Sequence, residues 1–236
     1  MSVAKIKQEL RALKNPEKIE VYKWFFKTGK GDYGEGDEFL GLNQDQIKKI
    51  AKKYSDLNLK GVKALLSSKI HEDRMTATRI LVYKFIKSGE FEREKIYTFY
   101  LDNAKSVNNW DLVDVSAPTI VGGFLLKNQK GKKVLYRLAK SENLWEKRIS
   151  IIATQQFIRA GQFDDTLKIA KILFSDKHDL IHKAVGWMLR EVGKRDQRVE
   201  RKFLAKYYKV MPRTALRYAI ERFGPKLRFK YLKHAR

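Results

Sequence analysis

The 236-residue chain contains no cysteine. That excludes disulfides, thiolate catalysis and cysteine-ligated zinc, and it fits an intracellular setting. Prolines number only four, which favours long uninterrupted helices over a loop-rich β architecture. No apolar run approaches the roughly 18 residues of a membrane span, and no secretory leader opens the sequence, so a membrane partner is not expected. Acids are scarce beside bases: 51 Lys and Arg against 27 Asp and Glu leave a formal net charge of +24. The imbalance is steepest over residues 181–236, where 17 Lys and Arg face 4 Asp and Glu. A folded domain this basic repels itself, and a polyanionic partner would relieve that repulsion; the plain alternative is a solvated basic surface with no partner.

What is present is a globular composition. Hydrophobic residues make up 43% and aromatics 12%, too rich for a disordered chain. The apolar residues recur at helical spacing: Ile80, Leu81, Tyr83, Phe85 and Ile86 form one run, Ile149, Ile151, Ile152, Phe157 and Ile158 a second, and Val185, Trp187, Met188, Leu189 and Val192 a third. Few stretches alternate with period two. The expectation is about 11–13 helices and no sheet. Asn15–Pro16 reads as an N-cap followed by proline at the first helical position, Ser141-Glu142-Asn143 precedes another helix, and Gly89, Gly161, Gly193 and Gly224 stand where C-cap glycines belong.

The same glycines mark a repeat. Phe85-Ile86-Lys87-Ser88-Gly89-Glu90-Phe91 matches Phe157-Ile158-Arg159-Ala160-Gly161-Gln162-Phe163 at a distance of 72 residues. Gly161, Gly193 and Gly224 follow one another at 32 and 31 residues, the length of a helix pair with its turns. Chance likeness between amphipathic helices is the competing account. Stacked helix pairs form a solenoid with one concave face, suited to a long ligand such as duplex DNA. The segment 28–43, rich in glycine and acid, resembles a phosphate-cradling loop only weakly: no strand precedes it, and Asp32, Glu35, Asp37 and Glu38 would repel phosphate. It reads as a structured connection between the second and third helices. The stretch 225–236, with Lys226, Arg228, Lys230, Lys233 and Arg236 and no acid, is either a phosphate-contacting tail or a solvated end.

The chemistry-bearing candidates begin at Asn109-Trp110-Asp111-Leu112-Val113-Asp114. Trp110 and Asp114, four apart, share one helix face. An indole beside a carboxylate suits a cationic target; the plainer alternative is a half-buried Trp with Asp114 as a cap or ion-pair partner. Arg148 follows Asp114 by 34 residues and Trp187 follows Arg148 by 39, each close to one repeat unit, so the four side chains could meet on one patch of the concave face. His178 and His182, four apart, have the spacing of a zinc pair but no third ligand motif beside them, and read as a surface or core pair.

WDLVD at 110–114, SENLWEKR ending at Arg148, HKAVGWMLRE around Trp187 and NPEK at 15–18 stand in one order over about residues 10–223. With these motifs the chain resembles the AlkD-like DNA alkylation repair glycosylases. The resemblance implies an all-α, HEAT-like helical repeat solenoid, an α-α superhelix with a basic concave face, formed by residues 1–236 as a single domain. It implies a monomeric, monofunctional glycosylase, free of cofactor and metal, that releases cationic N3- and N7-alkylated purines from double-stranded DNA. The family's key residues match Trp110, Asp114, Arg148 and Trp187. An aromatic on the second helix, often Tyr in relatives, aligns with Phe25, next to Trp24, so a hydrogen bond there is lost. Arg74, Lys147, Lys183, Arg190, Arg213 and Arg217, near helix starts in successive repeats, are candidate groove contacts. In this reading Asp114 stabilises the charge that builds on the deoxyribose, the indoles pack on the sugar-phosphate and Arg148 clamps a phosphate. The base is either extruded into a pocket, as glycosylases generally do, or, as the resemblance suggests, kept in or near the stack. The other class to weigh is a non-catalytic helical-repeat scaffold binding nucleic acid or protein.

Overall fold

A computed structural model describes residues 2–233. The final arginine of the basic C-terminal stretch, Arg236, lies outside the described residues. The fold is all-α and of the helical-repeat type, and the described residues form no strand; the single extended pairing is one parallel bridge between Glu38 and Ile70. No helix among them is long and apolar enough to cross a membrane. The chain falls into two compact units, Met1–Ile120 and Val121–Arg236.

The first unit holds α1 (Val3–Ala12), α2 (Pro16–Phe25), α3 (Gln44–Lys53), α4 (Leu59–Leu66), α5 (His71–Lys87), α6 (Glu90–Asp102) and α7 (Trp110–Ala117). Local chemistry sets their starts. Asn15 accepts the Glu17 N–H at 3.1 Å, with Pro16 at the first helical position. Asn43 and Gln46 form a reciprocal capping box at α3. From there Ile47, Ile50 and Ala51 turn inward at helical spacing while Lys48, Lys49, Lys52 and Lys53 stay outside. α5 is the hub, packing against α3, α4 and α7. After α7, Pro118 lacks the N–H of a regular turn, and Pro118–Gly122 form one wide π turn.

The second unit holds α8 (Gly123–Lys127), α9 (Lys133–Ala139), α10 (Leu144–Ile152), α11 (Gln155–Arg159), α12 (Asp164–Leu173), α13 (Asp179–Arg195), α14 (Gln197–Tyr207), α15 (Arg213–Ala219) and α16 (Pro225–Lys233). α13 is its hub, against α10, α12, α14 and α15. The helices outnumber the sequence expectation because breaks at Asn128 and Ala153–Thr154 cut short pieces from longer apolar runs.

The two matching stretches found in the sequence occupy like places: buried Phe85 ends α5 and buried Phe157 lies in α11, each followed by a glycine and the next helix. The glycines themselves differ. Gly161 has φ +74 and closes α11 in the left-handed region that favours glycine. Gly89 is instead the N-cap of α6 at φ −71, and Gly224 gives its carbonyl to the first turn of α16. Gly193 lies inside α13, where a Cβ would collide with the Glu200 carboxylate of α14. Close helix approach, not capping, requires glycine at that position. The basic stretch read as a tail forms helix α16 over Pro225–Lys233.

Candidate functional site

The segment 28–43 is fixed by buried charge rather than by regular structure. The Glu72 carboxylate, 1% exposed at the start of α5, accepts the backbone N–H groups of Leu40, Gly41 and Leu42 at 2.9, 2.8 and 3.2 Å. Asp37 meets the Arg74 guanidinium at 2.6 Å and lies 3.6 Å from His71 Nδ1. On its other side His71 Nε2 is 2.9 Å from Asp111, the second residue of α7. Asn109, fully buried, joins the same set: its Nδ2 donates to Asp37 at 3.3 Å and its Oδ1 caps the Trp110 N–H at 2.8 Å. The loop, the start of α5 and the start of α7 are thereby locked together.

This network fixes the charge on His71. Burial disfavours the imidazolium, but the Asp111 carboxylate, and after it Asp37, more than offset that cost and push the pKa up to about 9. Burial likewise works against the Asp37 carboxylate, and His71 and Arg74 reverse it, holding its pKa below the ordinary value. At neutral pH the cluster is a set of neighbouring opposite charges.

Above the network lies a cavity of about 420 Å³ with aromatic walls. Tyr22, Phe25 and Phe26 come from α2 and its C-terminal cap, Trp110 and Asp114 from α7, and Arg79 from α5; His71, Glu72 and Asp111 complete the lining toward the buried charges. The rings support one another. Phe26 stacks on Trp110 with centroids 5.5 Å apart, and Phe25 meets Trp110 edge-on at 5.9 Å. Phe26 is itself backed by Phe39 at 5.2 Å and by the His71 ring at 4.7 Å. Burial lowers the pKa of Arg79, and its Nη2 donates to Gln44 at 2.5 Å. Asp114 is half-buried, one turn along α7 from Trp110. The cavity thus sets the Asp114 carboxylate among π faces, which attract an electron-poor group, while Lys48 and Arg79 add positive charge to the same lining.

Of the residues singled out from the sequence, Trp110, Asp114 and Phe25 line this one cavity. Trp24 lies beside it on α2 and is 81% exposed. Arg74 needs correction as a groove contact. It is 3% exposed, and its Nη1 donates to the Ser68 and Lys69 carbonyls at 2.8 and 3.0 Å while its Nη2 pairs with Asp37. Its charge serves the fold, and little of it faces solvent.

The remaining candidates lie in the second unit. Arg148, on α10 and 4% exposed, donates from Nη1 to the Leu180 carbonyl in the first turn of α13 at 2.7 Å. Trp187 is half-buried in mid-α13, its Nε1 donating to Glu191 at 3.1 Å. Lys147 pairs with Asp176 at 2.8 Å, Lys183 with Asp179 at 2.6 Å, and Arg190 with Glu221. Arg213 donates to the Leu232 carbonyl at 3.1 Å, and Arg217 is exposed. His178 accepts the Leu180 N–H at 3.1 Å as the cap of α13, and His182 Nε2 lies 2.6 Å from the Asp176 carbonyl, so each has its own structural partner. Among the described residues no group of three His, Cys, Asp or Glu is placed to hold a metal ion.

Residues 6–223 match the family model described as "DNA alkylation repair enzyme". The chain belongs to this family of DNA alkylation repair enzymes. Among solved structures it is similar to one described as a predicted DNA alkylation repair enzyme from Enterococcus faecalis, at TM-score 0.71 and 16% identity, with 90% of this chain and 97% of that one covered. At that identity the likeness is one of fold. No curated protein sequence matches the chain. For this DNA alkylation repair family member, sequence reasoning missed Phe26, His71, Glu72, Arg79 and Asp111. The one available signal was His71-Glu72-Asp73-Arg74, four consecutive polar residues in the same helix as the apolar run Ile80-Leu81-Val82, a pattern that is costly where such groups are buried unless they are paired.

Proposed function

We propose that the protein is a monofunctional DNA glycosylase that hydrolyses the N-glycosidic bond of cationic N3- and N7-alkylated purines in duplex DNA, acting as a monomer without metal or cofactor. The observation that carries this reading is that Asp114 lines the same cavity as Trp110, Phe25 and Phe26. Alkylation at N3 or N7 makes the base cationic and a good leaving group, so the glycosidic electron pair departs with the base and neutralises it. Positive charge is left on the deoxyribose, at C1′ and the ring oxygen. Asp114 faces that charge and orients the water whose oxygen attacks C1′; the water's proton goes to the carboxylate or to solvent. A charge pair near 4 Å at an effective dielectric of 20 is worth about 4 kcal/mol, or roughly 10³ in rate.

Trp110 offers its π face to the same cation, adding about 1 kcal/mol, and Phe25 with Phe26 holds the indole in place. In the second unit Trp187 is the proposed contact to the sugar-phosphate, and Lys147, Lys183, Arg190, Arg213 and Arg217 belong to a basic, concave, HEAT-like DNA surface. Arg148, which the resemblance makes a phosphate clamp, is 4% exposed and bonded to the Leu180 carbonyl, so its proposed part is to position the start of α13 behind that surface. The family match runs unbroken through both units, which supports treating residues 1–236 as one functional domain.

The test is mass-spectrometric identification of bases freed from methylated duplex DNA in the presence of chelator. The expected products are 3-methyladenine and 7-methylguanine, with Asp114→Asn lowering the single-turnover rate about 10³-fold while leaving duplex affinity unchanged. Binding without any base release would favour the scaffold reading and overturn this one.

A further inference from the structure

A second recess, of about 360 Å³, lies in the second unit, lined by α13, α15 and α16. Its basic lining is Lys183, Arg217 and Arg228, with Thr214 and Tyr218 beside them. The two carboxylates that share the lining already have cations: Asp179 pairs with Lys183 at 2.6 Å, and Glu221 with Arg190. No carboxylate pairs with Arg217 or Arg228 among the described residues. α16 adds no acid to oppose them, since Pro225–Lys233 contains Lys226, Arg228, Lys230 and Lys233 and neither Asp nor Glu.

We infer that this cleft holds one phosphodiester of a DNA backbone, gripped by Arg217 and Arg228 with the Thr214 hydroxyl as a further donor. The assignment rests on the proposed action on duplex DNA and adds to it a phosphate position together with a role for the C-terminal helix. A guanidinium presents a planar fork of donors that matches two phosphate oxygens, and two forks from different helices fix the direction from which the strand passes. Tyr218, 36% exposed, supplies a ring face on which a deoxyribose can rest. The donors are long side chains on exposed helix faces rather than a closed ring of backbone N–H groups. That geometry suits a phosphate held within a continuous strand better than a small free ester. Contacts of this kind position the duplex and contribute nothing to the chemical step.

The experiment compares Arg217→Gln/Arg228→Gln with the charge-matched pair Lys168→Gln/Lys202→Gln, whose lysines are exposed on α12 and α14. Affinity for undamaged duplex is measured across a salt series, and excision from methylated duplex at saturating protein. The cleft variant should lose about 10-fold in affinity near 0.1 M salt, and its log–log salt slope should fall by about one. The control should lose less than about 2-fold in affinity and keep its saturated excision rate. Equal losses in the two variants, or an unaltered slope, would overturn the assignment. So would titration with inorganic phosphate showing binding that the cleft variant abolishes while its duplex affinity stays intact, since the site would then take a free phosphate. A wild-type protein that binds duplex through the cleft but frees no base would sink the glycosylase reading and leave this one standing.

Discussion

Around the start of α5 the first unit buries Asp37, His71, Glu72, Asp73, Arg74 and Asp111; among the described residues of the second unit the buried charged side chains are Arg148 and Glu200. The first set is cross-paired, each carboxylate meeting a cation, a backbone N–H or a hydroxyl. The second unit keeps most of its basic residues at the surface, several in open pairs such as Lys183–Asp179 and Lys194–Glu191. The contrast follows from what each arrangement can do. A charge-paired buried network, even with Asp73 Oδ1 and Arg74 Nε lacking a hydrogen-bond partner among the described residues, holds the rings and the carboxylate above it within a narrow geometry, as a chemical step requires. Exposed cations hold a polyanion through long-range attraction and tolerate looser placement.

The sharpest break in that contrast is Glu72→Ala. It removes the acceptor for three buried N–H groups in a loop whose other backbone ties are the Glu38–Ile70 bridge and the Asn15 N–H to Leu40 carbonyl bond. At 1–3 kcal/mol for each orphaned donor, the loss is about 5 kcal/mol in chemical denaturation. The aromatic cavity should open with it, because Leu40–Leu42 adjoin Phe39, which backs Phe26. A loss below about 1 kcal/mol, within the range of ordinary surface substitutions, would mean that the network does not set the geometry of the first unit.

The legible part of the molecule is the part written in short-range spacing. Asn15–Pro16 and Asn143 announce their helices because a cap is a contact between near neighbours. Trp110 and Asp114 can be paired from sequence because one helical turn separates them. His71 with Asp37 and Asp111 could not be, since the partners are 34 and 40 residues away and only the tertiary fold unites them. Arg74 looked like any basic residue near a helix start because burial leaves no mark on a single position. Gly193 was misread for a related reason: its neighbour is Glu200 on the next helix, not its own chain terminus.

The two units also differ in how pH acts on them. His71 has its folded pKa raised from 6.5 to about 9. Its stabilisation is complete below about 6.5 and is lost as pH rises through about 9, amounting to a few kcal/mol. Glu200 is raised from 4.5 to about 8, by burial that Arg201 only partly counters, and its Oε1 has no hydrogen-bond partner among the described residues. For a raised carboxyl the folded state holds the proton more tightly, so its contribution is complete below 4.5 and is lost as pH rises through about 8. Glu200→Gln keeps the shape without the titration. It should leave stability unchanged near pH 4.5 and raise it by about 2 kcal/mol at pH 8, with the loss toward pH 9 from His71 persisting. Denaturation midpoints at pH 4.5, 7, 8 and 9 read both windows; a variant with wild-type pH dependence would refute the role of Glu200.

The smallest effect separates wall from rim. Phe25 is 52% exposed, yet its edge supports both Trp110 and Phe26, at 5.9 and 5.1 Å. Trp24, next in the chain, is 81% exposed, and no ring partner for it is found among the described residues. Phe25→Ala should cost less than about 1 kcal/mol of stability, because half the ring already faces water. If the proposed glycosylase reading holds, it should nevertheless slow excision about 5-fold, the rate equivalent of losing one edge-to-face contact that steadies the Trp110 indole. Phe25→Tyr preserves the ring and should keep the wild-type rate. Trp24→Ala should leave both stability and saturated rate unchanged and weaken only duplex binding. If Trp24→Ala instead slowed the chemical step as much as Phe25→Ala, α2 would act as a single surface, and the boundary between the cavity and its surroundings would have to be moved outward to include the exposed indole.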